Sequence, residues 1–131
     1  MFLCDSAQVY QGKLSVLGAG WSHIGIGAPS AIGAILEVTT DLTDHKLHAT
    51  LDCVDADGHP YCPDGTNPLK LEADMEVNIP AGVKSGISQR IPLAFNFPPI
   101  FQRPGRFTWR LAVEDAIAST SFEVFPVQPN P

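Results

Sequence analysis

The chain has 131 residues, the length of a single domain. Its net charge of −6 sets 14 acids against 8 scattered bases, which excludes the clustered Lys and Arg that nucleic acid requires. Charged residues make up only 17% of the chain against 44% hydrophobic ones, so there is material for a core and little charge to keep every surface wet.

Phe2 to Val9 opens on a strand pattern, and MFLCDSAQ has no basic start and meets Asp5 at once, which argues against a secretory signal. Tyr10-Gln11-Gly12-Lys13 reads as a hairpin turn, with Leu14 to Leu17 as the returning strand. Gly18-Ala19-Gly20 lets the backbone bend before Trp21, and His23 to Ser30 reads as a glycine-rich loop carrying Ile24 and Ile26 outward. The stretch from Leu14 to Leu36 holds no charged residue and is long enough to span a bilayer, but its five glycines and Pro29 split it into two strand-like halves.

Ile32, Ala34, Leu36 and Val38 alternate along the next strand, and Leu47, Ala49, Leu51 and Cys53 along the one after it. Asp57-Gly58 is a turn signal, and Pro60 to Pro68 is a long irregular connection. Leu69 to Ile79 alternates with Lys70, Glu72, Asp74, Glu76 and Asn78, the pattern of a strand with one wet face. Pro92 cannot donate to a ladder, so the strand Ile91–Phe97 either lies at a sheet edge or begins after Pro92. Phe107, Trp109, Leu111 and Val113 alternate next, Glu114-Asp115 turns the chain, and Phe122 and Val124 close the last strand. About eight short strands with turns between them and no helical period predict an all-β fold, an antiparallel β-sandwich of immunoglobulin-like or jelly-roll-like type, over residues 1–125. An extended Pro-rich tail follows over 126–131.

Candidate chemistry is sparse. Gly18-Ala19-Gly20 lacks the third glycine and the helix of a dinucleotide fingerprint. Asp55, Asp57 and Gly58 resemble half a calcium loop that Asp52 could join, but the further ligands of that pattern are missing and a solvated turn is the preferred reading. His45 and His48 stand three apart, on opposite faces of a strand, which does not suit a shared metal. Cys4 and Cys53 fall in hydrophobic alternation and read as core, while a Cys53–Cys62 disulfide is open to an oxidising compartment. No nucleophile elbow surrounds any serine. Trp21 and Tyr61, beside loops, suit either sugar stacking or capping of the core. Neither catalytic residues, cofactor nor resident metal is expected. The best partner-binding candidates are Trp21, Ile24 and Ile26 in the apolar loop and Phe125, Val127 and Pro129 in the tail.

The segments LCDSAQVYQGKLSVLGAGWSHIG, PSAIGAILEV and RIPLAFNFPPI, followed by PGRFTWRLAVED, occur in order over most of the chain. In these the chain resembles an uncharacterised family of small proteins from actinobacteria and their phages, a domain of unknown function. Cys62 and the long Pro60–Pro68 connection depart from that pattern. The resemblance implies no catalytic residue and no ligand. It implies a phage setting, and with it a head decoration or minor capsid protein that docks on the major capsid protein and on copies of itself. The location would then be the capsid surface of the virion, and otherwise the cytoplasm, without nucleic acid or membrane as partner. An intracellular protein-binding module and a carbohydrate- or calcium-binding sandwich are the alternatives.

Overall fold

Alternating apolar and polar residues produce ten strands among the described residues, which in this computed structural model are 1–39, 45–77 and 88–126. They are β1 (Phe2–Cys4), β2 (Ser6–Tyr10), β3 (Lys13–Leu17), β4 (His23–Gly25), β5 (Ser30–Thr39), β6 (His45–Asp55), β7 (Lys70–Val77), β8 (Ser88–Phe97), β9 (Gly105–Val113) and β10 (Ala116–Phe125). Five of them form the larger sheet in the order β4-β10-β9-β6-β7, and three form a smaller sheet in the order β1-β5-β8. The two sheets face each other across one core, the all-β sandwich that the alternation predicts. All pairings are antiparallel except that of β4 with β10.

The strand count exceeds the expected eight for two local reasons. Asp5 interrupts the first strand, since its N–H donates to the Leu17 carbonyl instead of continuing the ladder of β1. The segment after Trp21, expected as a loop with outward isoleucines, contains a three-residue strand parallel to the end of β10. Ile24 is therefore buried, at 8% exposure, between the layers.

The core follows register. On the larger sheet Leu51, Leu111 and Ala118 lie level, as do Cys53 and Trp109, and Phe107 with Phe122. On the smaller sheet Leu3, Ile32 and Phe95 lie level and point the same way. One end of the core is aromatic: Phe97 stacks on Trp109 at 4.6 Å, and Phe101 sits edge-on to Trp109 and Phe122. Each such pair adds about 0.5–1.5 kcal/mol beyond the area it buries.

A third layer lies outside the smaller sheet. The hairpin β2–β3 turns through Gln11 and Gly12, both at positive φ (51° and 72°), as a two-residue hairpin loop of the primed type requires. It packs on the outward residues Cys4, Ala31 and Ala94 through Ala7 and Leu14. Small residues in β5 make that approach possible: a Cβ on Gly33 would come within 2.6 Å of the Phe2 ring. The Asn96 side chain completes the seam, accepting the Ala7 N–H at 3.0 Å and donating to the Ala7 carbonyl at 2.7 Å. No helix among the described residues is long and apolar enough to cross a membrane.

Candidate protein-docking site

The two layers do not close equally along their length. β1 pairs only with Ala31–Gly33 of β5, and β4 only with Glu123–Phe125 of β10. Beyond those short strands, β5 from Ala34 to Val38 and β10 from Ala116 to Ser121 have a bare edge on the same flank, among the described residues. Between these edges opens a cleft of about 220 Å³. Its inner walls are Ala34, Leu36, Leu93, Leu111, Val113 and Ala118, and its rim carries Met1, Ile35, Glu37 and Ile117.

The cause is readable in side-chain size. On β10 the core-facing positions run Ala116, Ala118, Thr120, Phe122, Val124, small at one end and large at the other. Ala34 faces them from β5, so the layers are filled where the strands are covered and underfilled where they are bare. Ile35 and Ile117 alternate out of the core and are 57% and 76% exposed on either side of the opening. Two large exposed apolar residues beside an apolar cleft make this flank the candidate interaction surface.

The residues expected to bind a partner are not in this cleft. Trp21 is half-buried with its ring edge-on to Phe122 at 5.9 Å, Ile24 is buried, and Ile26 is half-buried. The Ile26 N–H donates to the Phe125 carbonyl, so the segment extends the sheet rather than projecting from it. Of the tail, Phe125 is exposed beside His23, whereas Val127 and Pro129 lie outside the described residues. Ile35 and Ile117 escaped the sequence reading because they sit on the polar face of their strands. The signal that could have found them is a lone isoleucine out of phase with its strand's core face, next to Ala34 in one case and between Ala116 and Ala118 in the other.

A second, larger cleft of about 460 Å³ lies at the loop end, between Asp55, Tyr61, Cys62, Gln102 and Arg103. Its groups are already committed. Tyr61 is 3% exposed, stacks on Phe101 and donates its hydroxyl to the Ile100 carbonyl, so of its two readings it takes that of a cap on the core. Asp55 accepts the backbone N–H groups of Asp57 and His59, and these bonds, His59 first, hold its carboxyl below the usual range. Asp55, Asp57 and His59 lie together at that turn, but Arg103 stands 3.6 Å from the same Asp55 carboxylate and opposes a cation there. Asp52 is remote from the group, held by Arg110 through two bonds of 2.7 and 2.9 Å on the outer face. Asp52 and Asp55 are thus held by different arginines, while Asp57 is tied to Asp55 by its own N–H. Asp64, capped by the N–H groups of Asn67 and Thr66, falls to about 2 and fixes the remainder of the loop.

The cysteines are free, so no Cys53–Cys62 bridge forms. Burial pushes the Cys53 thiol up to about 12, and burial with the adjacent Asp5 raises that of Cys4. Both stay thiols at neutral pH, the protonation state of packing residues rather than of nucleophiles.

No curated protein sequence matches the chain. A family model described as "Family of unknown function (DUF6941)" matches residues 1–125, nearly the whole chain and every described strand, and the protein belongs to that family.

Proposed function

We propose that this protein is a non-enzymatic interaction module that docks on protein surfaces through the cleft between β5 and β10. The observation that carries the reading is the coincidence, among the described residues, of an apolar cleft, two exposed isoleucines and two bare strand edges on one flank. Backbone groups along a bare edge supply direction and register to an incoming strand, and the cleft supplies burial for its side chains. In the phage setting implied by the sequence resemblance, the partner is the head shell, and the module is a decoration or minor capsid protein.

Quantitative mass spectrometry of purified particles, referenced to the major capsid protein, tests the shell as partner. A copy number equal to that of the shell protein, or a simple fraction of it, is expected for a lattice component. Absence from the particle would refute the shell reading and leave a docking module to be sought among intracellular partners.

A further inference from the structure

We infer that the bare edge of β10 pairs with β10 of a second copy, antiparallel across a two-fold axis at Ile117, joining two larger sheets into one. The inference rests on reading the β5–β10 flank as a docking surface, and it names the occupant.

Charge on the edges separates this flank from the opposite one. A protein of net charge −6 repels its own copies wherever carboxylates would face each other. The free edge of the larger sheet on the far side, β7, carries Glu72, Asp74 and Glu76, and the neighbouring edge β8 carries Arg90 and Pro92. Charge and proline are the usual means of blocking strand addition. The bare segment of β10, Ala116 to Ser121, has neither, and it carries the most exposed large hydrophobic residue described, Ile117.

The backbone faces the correct way. The Glu123 N–H donates to the Ser22 carbonyl and the Phe125 carbonyl accepts from the Ile26 N–H, so odd-numbered residues of β10 turn their backbone groups to the outer edge. By the strand period, Ile117, Ser119 and Ser121 present theirs to the bare side.

The register then follows from exclusion. Centring on Ser119 would set Asp115 against the partner's Glu123 and drive the incoming strand into Ser22, which already occupies that position. Centring on Ile117 sets Ile117 against the partner's Ile117 and Ala116 against the partner's Ala118, a three-residue ladder with no carboxylate in it, since β10 begins at Ala116 after the Glu114-Asp115 turn. The partner's turn then lies level with Ser119 and Thr120, short of Glu123, where β4 begins its pairing. The two cleft mouths then face each other across the axis, and Ile35 and Met1, on the rim of each, come to the junction.

Light scattering coupled to size exclusion, run on the full chain from micromolar to submillimolar concentration, should give a dimer. Ile117→Lys, a change at an exposed position that leaves the fold intact, should raise the dissociation constant at least about a hundredfold, since two isoleucines leave the interface and two like charges meet. In a Cys62→Ser background, Ile117→Cys should form an intermolecular disulfide under mild oxidation, because opposed residues of a hydrogen-bonded antiparallel pair stand about 5.5 Å apart. Lys70→Cys on β7 should not. A wild-type chain that stays monomeric throughout, or a dimer indifferent to Ile117→Lys, overturns the pairing. A monomer found in fixed ratio on particles would refute the pairing alone, whereas a dimer absent from particles would refute the shell alone.

Discussion

The seam between the β2–β3 hairpin and the smaller sheet rests on one side chain, and cutting Asn96 to alanine should loosen that layer without opening the core. Asn96 acts as a neighbouring strand would, accepting the Ala7 N–H and donating to the Ala7 carbonyl. Ala7 is 6% exposed, so Asn96→Ala leaves a buried donor and acceptor without their partner. Two hydrogen bonds at a net 0.5–1.5 kcal/mol each suggest a loss of about 1–3 kcal/mol. Asn96 is itself exposed to solvent, so water can replace part of what is removed and the lower half of that range applies. Scaled by about 2.1 cal/mol/K per residue, that lower half corresponds to a fall in Tm of about 4–7 °C. Urea unfolding at constant m reads the loss, and hydrogen exchange at the Ala7 amide locates it. An Asn96→Asp variant sharpens the test. Its carboxylate can accept from the Ala7 N–H but meets the Ala7 carbonyl with a lone pair, which raises the folded-state pKa of the new carboxyl. The variant's stability is therefore greatest below the unfolded carboxyl value near 4 and is lost as pH rises through the raised one. An unchanged urea midpoint with unchanged Ala7 exchange in Asn96→Ala would refute the seam.

Gly33→Ala should destabilise by about 1–3 kcal/mol, as an overpacked site does, because the new Cβ meets two Phe2 ring carbons at 2.6 Å and Leu14 at 3.3 Å; an unchanged Tm would mean that Phe2 moves aside freely. On the outer face, the hydrogen bond that His48 donates to the Asp74 carboxylate lifts its imidazole above its usual range, with Glu72 and Glu114 adding to it. The stability this contributes is present below about pH 6.5 and fades as pH rises through the raised value, and Asp74→Asn should move the NMR titration of His48 to lower pH.

Strand positions were legible because period two is a strong signal where one face is wet. Lys70 to Val77 lies where the alternation places β7, and Pro92 marks β8 as an edge strand. The turns at Gln11-Gly12 and Glu114-Asp115 join the strands expected on either side of them. What misled the reading was the segment from Trp21 to Ala28. Glycines there read as looseness, whereas Ile24 enters a parallel pairing with β10 that no local pattern announces, since its partner is about a hundred residues away in sequence. The third layer was equally hidden, as Ala31, Gly33 and Ala94 on an outer face look merely small until a hairpin is laid over them. The candidate site was illegible for a related reason: underfilling is a property of facing layers, and Ala34, Ala116 and Ala118 come together only when the sheets are stacked.

That underfilling can be tested by reversing it. Ala118 points into the cleft toward Leu111 and is only half-buried, so Ala118→Leu adds three carbons to a space bounded by Leu36, Leu93 and Leu111. Burying them gains at most about 2 kcal/mol at 0.8 kcal/mol per carbon, and fixing the leucine costs about 0.5–1 kcal/mol in rotamer freedom. The monomer should therefore gain about 1 kcal/mol, read as a rise in Tm of about 4 °C on the same entropy scaling. A fall instead would mean that the layers relax into the space and the cleft is not available to a guest. If the substitution stabilises the chain and also weakens association, the vacancy is kept at the expense of stability, the usual relation where a surface must stay open for a partner. Stabilisation with association intact would separate the cleft from the strand edge and assign docking to the backbone of β10 and the flanking Ile117 alone.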